Sequence, residues 1–135
     1  IMALFKKINL PIFGDERGSL IALESERIAP FPIQRIYYIF GTMIGVSRGF
    51  HAHKQTKQLL ICISGSCRLV FNDGESREEV ILNANDYGIT IDKMIWHEMH
   101  DFTDQCILLV LASDYFDEAD YIRNFDDYLK ILGRK

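Results

Sequence analysis

The chain has 135 residues, of which 48% are hydrophobic and 25% charged, as in one folded domain rather than a disordered chain. Its 15 Lys and Arg residues against 19 Asp and Glu give a net charge of −4 with neutral histidines, which argues against a nucleic-acid or anionic-membrane partner. Apolar runs are too short to span a bilayer and no signal-peptide pattern begins the chain, so we expect a cytoplasmic protein. We take residues 1–135 as one domain, with Ile1 interpreted as a residue added by cloning.

The predicted elements are mostly strands. Near the N-terminus, residues 3–9 and 19–24 would be strands joined through Gly14-Asp15, and Arg17 stands in the polar loop beside this turn. From Gln34 onward, short apolar segments alternate with turn signals about every 8–12 residues, which is typical of an all-β barrel or sandwich. The strands predicted in this part cover residues 34–40, 57–64, 67–72, 79–82, 87–91, 94–99 and 105–112.

Gly65-Ser66 lies between two of these strands and predicts that they form a hairpin. The three cysteines, Cys62, Cys67 and Cys106, each lie in an apolar segment, and no two form a CxxC pair. We therefore expect buried thiols in a reducing compartment rather than disulfides.

A helix is predicted at the C-terminus. Asp114 or Asp117 could cap it, and it would run to about Leu132 and end at Gly133. Apolar residues recur there at helical spacing and would form one buried stripe. The stripe consists of Tyr121, Ile122, Phe125, Tyr128, Leu129 and Leu132.

All four histidines fall in two short segments, with His51 and His53 in the first and His97 and His100 in the second. Positions i and i+2 of a strand point to the same side, so His51 and His53 would project together. With His97 on a second strand, the pair indicates either a metal site or an acid–base site. Neutral imidazole binds zinc, iron, copper or nickel, and it also exchanges protons near neutral pH.

The spacing around the first pair resembles the first conserved motif of the cupin superfamily. In order, the matching positions are Gly45, His51, His53, Gln58 and Gly65. Gln58 departs from the motif, which has Glu there, and the weaker second motif places its histidine at His97. The resemblance implies an all-β double-stranded β-helix of jelly-roll type, to which the C-terminal α-helix is added. An amide offers a cation only a dipole, so Gln58 argues against a functional metal.

Five longer segments extend the resemblance over nearly the whole chain. They are residues 17–20, 35–40, 48–54, 96–102 and 112–118. Together they are similar to the sugar 3,4-ketoisomerases, which act on dTDP-4-keto-6-deoxyglucose and supply 3-amino-3,6-dideoxyhexoses for surface glycans such as lipopolysaccharide O-antigen. The resemblance implies an enzyme without metal or other cofactor that binds a dTDP-sugar. It also implies a homodimer with exchanged N-terminal strands.

The ketoisomerase reaction moves a carbonyl from C4 to C3 through an enediol, which requires two proton transfers. The resemblance implies that His51 and His53 are the catalytic pair, without dividing the two steps between them. The residues expected to bind substrate are Arg17, Tyr37, Arg48, Gln58 and His97. Of these, Arg48 and Arg17 are candidates for the diphosphate, and Arg17 could serve the site of a neighbouring subunit.

Three other functions remain open from the sequence. One is a metal-dependent cupin enzyme, a dioxygenase or an isomerase, that uses His51, His53 and His97. Another is a dTDP-sugar 3,5-epimerase, and the third is a cupin that binds a sugar nucleotide without turnover. The C4 stereochemistry of the product and the presence of a second domain in a longer, bifunctional chain are also open.

Overall fold

The computed structural model describes residues 3–133, and Ile1 lies outside them. Its strands form two five-stranded antiparallel sheets and a separate two-stranded hairpin. The strands are β1 Lys6–Asn9, β2 Phe13–Asp15, β3 Gly18–Leu20, β4 Arg35–Ile39, β5 Arg48–His53, β6 Gln58–Ser64, β7 Cys67–Asn72, β8 Arg77–Leu82, β9 Tyr87–Ile91, β10 Trp96–His100, β11 Ile107–Ala112 and β12 Tyr121–Ile122. A 3₁₀ turn spans Glu118–Asp120, and helix α1 spans Phe125–Ile131.

The order of the strands confirms the predicted jelly roll. One sheet has the order β1-β9-β6-β11-β4 and the other β12-β5-β10-β7-β8. Of the strands from β4 to β11, the first sheet therefore contains β4, β6, β9 and β11, and the second contains β5, β7, β8 and β10. Both sheets contribute to one apolar core, with Leu60 and Leu108 from the first and Phe71 and Met99 from the second. Within residues 3–133, no helix is both long and apolar enough to cross a membrane.

The predicted hairpin at Gly65-Ser66 is wrong, because β6 and β7 belong to different sheets. Strand β6 is paired on both sides, with β9 and β11, and has no free edge for β7. The turn bonds instead to the loop before β11: the Ser66 N–H donates to Thr103 Oγ1 at 2.9 Å, and the Thr103 N–H donates to the Ser66 carbonyl at 3.0 Å. Gly65 (φ +70°) therefore carries the chain from one sheet to the other.

The N-terminal prediction also needs correction. Gly14 and Asp15 end strand β2 instead of forming the turn, and the turn lies at Glu16-Arg17. A side chain at position 14 would collide with the backbone of Ser19, so glycine allows β2 and β3 to approach closely. The strand predicted to end at residue 24 ends at Leu20, and β1 pairs with β9 rather than with this hairpin.

The C-terminal helix is shorter than predicted. Asp117 caps the 3₁₀ turn, accepting from the Ala119 N–H, while Asn124 caps α1. The helix cannot begin earlier because Tyr121 and Ile122 are extended and pair with β5. The remaining residues of the predicted stripe do pack inward, where Tyr128 is fully buried.

All three cysteines are buried free thiols, as predicted. Cys62 Sγ and Cys106 Sγ lie 3.8 Å apart. Burial raises the pKa of the Cys62 thiol to about 12, so this thiol is a packing group rather than a nucleophile.

Replacing Gly65 by alanine tests the sheet-crossing turn. A Cβ at this position would lie 2.9 Å from Cys106 Cα, in a backbone conformation that already disfavours side chains. We expect Gly65→Ala to lower the free energy of unfolding by about 3 kcal/mol, measured by urea denaturation. Gly41→Ala is the matched control, since Gly41 has φ +64° but open space around it. It should cost only about 1 kcal/mol, and equal losses at both positions would contradict the packing role of Gly65.

Candidate active site

Three imidazoles meet where β5 pairs with β10. His97 is the direct partner of His51 in the ladder, and their ring centroids lie 4.5 Å apart. His53 projects to the same side as His51, as its spacing predicts, with the rings 5.0 Å apart. His53 and His97 are 2% and 1% exposed. The three histidines therefore form one cluster. Three nitrogen atoms, one from each ring, all lie within 4.8 Å of one another.

A bulge in β5 adjoins the cluster. His97 pairs with His51 but Glu98 pairs with Gly49, so Phe50 (φ +59°) is an extra residue on β5. Gly49 (φ +88°) lies against the backbone of β10, where a Cβ would come within 3.2 Å of the His97 carbonyl oxygen. Glycine at this position thus permits the close strand pairing that holds His51 against His97.

The hydrogen bonds of the three rings determine their tautomers. Nδ1 of His51 lies 3.2 Å from the Gly49 carbonyl oxygen, and Nδ1 of His97 lies 3.2 Å from that of Ile95. Because a carbonyl oxygen only accepts, each Nδ1 must carry the proton, which leaves the lone pair on Nε2. The same holds for His53, whose Nδ1 lies 2.9 Å from Asp120 Oδ2. Nε2 of His53 and Nε2 of His97 are buried and have no hydrogen-bond partner within residues 3–133.

Burial keeps the imidazoles neutral. It lowers the pKa of His51 to about 4, with a further contribution from the neighbouring ring of His53. Burial also lowers the pKa of His53, against the opposing effect of its bond to Asp120, and it lowers that of His97 well below the ordinary value. At neutral pH the cluster therefore consists of bases without charge.

A cleft of about 690 Å³ opens in front of His51. Its wall combines arginine and aromatic side chains, namely Arg35, Arg48, Arg123, Tyr37, Tyr121 and Phe116. The Arg35 guanidinium carbon lies 5.4 Å from the centre of the Tyr37 ring, and that of Arg123 lies 4.2 Å from the centre of the Tyr121 ring. The cleft can accordingly bind an anionic ligand that also has planar or apolar parts.

The residues predicted to bind substrate are only partly brought together. Tyr37 and Arg48 line the cleft, and His97 packs behind His51. Gln58 is buried and donates from Nε2 to the Tyr37 hydroxyl at 2.7 Å. It therefore does not line the cleft itself but contacts Tyr37, which does. Arg17 lies on the exposed β2–β3 turn, paired with Asp15 at 2.5 Å, and does not line the cleft of its own chain.

Sequence reasoning missed Asp120, Tyr121, Arg35 and Arg123. The helical apolar periodicity predicts a helix over Asp120 and Tyr121, but Asp120 ends the 3₁₀ turn and Tyr121 pairs with β5. Arg35 could have been found, because it stands two residues before Tyr37 on a predicted strand and so shares its face.

The three Nε2 lone pairs could also hold a transition-metal ion, since imidazole suits several of them. The position where cupins have a carboxylate is Gln58, whose amide is engaged with Tyr37. The donor set for a metal is thus three neutral imidazoles without an anionic ligand.

Comparisons with known proteins agree on one family. Residues 4–133 match the family model described as FdtA: WxcM-like, C-terminal. TDP-4-oxo-6-deoxy-alpha-D-glucose-3,4-oxoisomerase from Aneurinibacillus thermoaerophilus is 46% identical over 129 residues, which cover 96% of this chain and 93% of that protein.

Two solved structures show the same fold. A 3,4-ketoisomerase from Helicobacter canadensis has a TM-score of 0.93 and 46% identity, covering 96% of this chain and 97% of its own. A mutant of the 3,4-ketoisomerase QdtA from Thermoanaerobacterium thermosaccharolyticum, in complex with TDP-4-keto-6-deoxyglucose, has a TM-score of 0.93 and 37% identity. It covers 97% of this chain and 95% of its own.

The buried neutral histidines predict how stability depends on pH. Between pH 7 and 5.5 these histidines become protonated in the unfolded chain but stay neutral in the folded protein. The free energy of unfolding should therefore fall as the pH falls. The loss should be about 1 kcal/mol for each histidine that stays neutral, measured by urea denaturation at the two pH values. His51→Asn should reduce this loss by about one third, because it removes one of three such groups; an unfolding free energy that does not change over this range would contradict the assignment.

Proposed function

The chain belongs to the FdtA family (WxcM-like, C-terminal), and from this membership we propose that it is a sugar-nucleotide 3,4-ketoisomerase. The proposed reaction moves the carbonyl of dTDP-4-keto-6-deoxyglucose from C4 to C3. The observation in this chain that carries the proposal is the cluster of neutral imidazoles behind a cleft that presents three arginines. The reaction needs bases and a site for a diphosphate, and this cleft has both kinds of group.

Proton transfer is assigned to His51 and His53. The C3 proton of the substrate is acidified by the ketone at C4, and its removal gives an enediolate. Protonation at C4, with exchange of a proton between the two oxygens, completes the shift without a hydride or a nucleophile. A neutral imidazole with its lone pair on Nε2 can accept the first proton, and the imidazolium can return one at C4.

Tyr37 is assigned as a donor to the developing oxyanion. Burial raises its pKa to about 12, so the hydroxyl keeps its proton at neutral pH. Because Gln58 donates to the hydroxyl oxygen, the O–H bond of Tyr37 is left to donate elsewhere. A neutral donor aimed at the enediolate oxygen would stabilise the charge that forms there.

Arg48 is assigned to the substrate's diphosphate, with Arg35 and Arg123 as further candidates from the cleft wall. A guanidinium pairs well with phosphate oxygens because its donors form a planar fork. His97 is assigned to shaping the pocket against His51. The role of Arg17 stays a prediction that depends on a neighbouring subunit, since Arg17 lies outside the cleft of its own chain.

We also propose that the product feeds the synthesis of 3-amino-3,6-dideoxyhexoses for O-antigen, in the cytoplasm, by a homodimer with exchanged N-terminal strands. Strand β4 and the residue after it support self-association, because the side chains of Ile36, Tyr38 and Phe40 are 60% to 68% exposed. In an exchanged dimer, β1 would pair with β9 of the second copy in its present register.

A metal-dependent cupin enzyme is the second candidate. The observation that favours it is the convergence of the three histidines, with two Nε2 atoms that lack a partner within residues 3–133. A stoichiometric metal in the purified protein, whose removal by a chelator abolishes turnover, would support this candidate over the first.

The homodimer predicts one species at twice the chain mass in sedimentation velocity. Tyr38→Lys should shift the population toward monomer, because it places a charge in the exposed apolar face of β4. Tyr115→Lys is the matched control, as Tyr115 is 74% exposed and lies outside β4. A monomeric wild-type protein would refute the dimer.

The ketoisomerase predicts a defined pattern of deuterium incorporation. With dTDP-4-keto-6-deoxyglucose in deuterium oxide, NMR should show a 3-keto product that carries deuterium at C4, in the presence of a chelator as well as without it. Exchange at C5 would instead indicate the 3,5-epimerase, and binding without any exchange would indicate a non-catalytic cupin.

The same assay tests the two histidines. His51→Asn and His53→Asn should each lower kcat by about 100-fold or more while the protein stays folded. His100→Asn is the matched control, because His100 stands three residues beyond His97 on β10 and faces the opposite side. Full activity in either active-site variant would remove that histidine from the mechanism.

A further inference from the structure

Asp120 is joined by four hydrogen bonds to His53 and the three residues that follow it. Its Oδ2 atom lies 2.9 Å from His53 Nδ1 and accepts from Thr56 Oγ1 at 2.5 Å, while Oδ1 accepts from the Gln55 N–H at 2.7 Å. The Asp120 carbonyl oxygen accepts from the Lys54 N–H at 2.9 Å. The carboxylate therefore has little freedom to turn away from His53.

The chain reaches this position through two local structures. Asp117 caps the 3₁₀ turn that ends at Asp120, and the next residue, Tyr121, pairs with His53 in the β12–β5 ladder. Asp120 is thus held from both sides, by the capped turn before it and by the strand after it.

Asp120 is ionised at neutral pH. Burial would raise its pKa, but the hydrogen bonds from Thr56, His53 and the Gln55 N–H together hold it below the ordinary value. An ionised carboxylate only accepts hydrogen bonds, so it requires the proton of His53 to be on Nδ1.

The three histidines of the cluster differ in what faces Nδ1. His51 and His97 donate to the neutral carbonyl groups of Gly49 and Ile95. Among the residues that the structure describes, His53 is the member of the cluster whose Nδ1 faces a carboxylate, that of Asp120. If a proton resides on one of the three rings, the charge is best compensated on His53.

We propose that Asp120 is a positioning residue for the isomerase reaction: it holds His53 in the Nδ1–H tautomer, with the Nε2 lone pair toward the cluster, and compensates the positive charge when His53 is protonated. His51 lines the cleft and His53 does not, so His53 receives the proton through the cluster and holds it between its removal from C3 and its delivery to C4. This role rests on the proposed function, whereas the tautomer and the orientation of His53 do not.

Asp120→Asn tests the proposal with almost no change in shape. The Gln55 N–H requires an acceptor, which keeps the amide oxygen at the Oδ1 position and turns the amide NH₂ toward His53 Nδ1. His53 must then accept at Nδ1 and carry its proton on Nε2, so it can no longer act as a base there. We expect kcat to fall at least about 100-fold while KM changes less than about threefold.

A spectroscopic measurement separates positioning from a purely structural role. In ¹⁵N-labelled protein at neutral pH, NMR should show His53 with the proton on Nδ1 in the wild type and on Nε2 in Asp120→Asn. Asp117→Asn is the matched control, since it makes the same charge change in the same turn and asparagine still caps it. Its kcat and the His53 tautomer should match the wild type.

Two results would overturn the proposal. One is a wild-type His53 that carries its proton on Nε2, a measurement that does not depend on how well any variant folds. The other is a folded Asp120→Asn variant with wild-type kcat. If the wild type does not convert the sugar at all, the proposed function fails, and the NMR result still decides whether Asp120 holds the tautomer.

Discussion

Strand β5 is paired with β10 on one side and with β12 on the other, and the whole site depends on these two pairings. The first places His97 directly opposite His51, and the second brings Asp120 to His53. The two partners come from distant parts of the chain, so the site exists only when the sheet that contains β12, β5 and β10 has formed. The bulge at Phe50 and the close approach at Gly49 show that β5 is irregular where it carries the first histidine.

The electrostatics of the site follow from burial. Removing three imidazoles from water lowers the pKa of each, and the acceptors at Nδ1 leave every lone pair on Nε2. In front of these neutral bases, the cleft wall carries three arginines, although the chain as a whole has a net charge of −4. The overall charge argues against a broad basic surface, but it is compatible with a local pocket for one small anion.

Two errors in the predicted elements have a common cause. Gly65-Ser66 is a good hairpin turn by composition, and residues 121–132 have good helical periodicity, yet both local patterns are overridden by strand pairing. Strand β6 already has two partners, so β7 must join the other sheet. Tyr121 and Ile122 complete the free edge of β5. In each case pairing with a distant strand satisfies the backbone N–H and C=O groups. The predicted hairpin or helix would have to satisfy the same groups in another way.

The sequence by itself determined the positions of β4 and of β6 to β11, the all-β class and the projection of His51 and His53 to one face. These follow from alternation and short spacing, which act within one strand. Only the tertiary structure decided that His97 lies against His51, that Gln58 bonds Tyr37, that Arg17 lies outside the cleft and that Asp120 contacts His53. Those contacts join residues far apart in the chain, and the order in which strands pair is set by the packing of two sheets around one core, which no local pattern records.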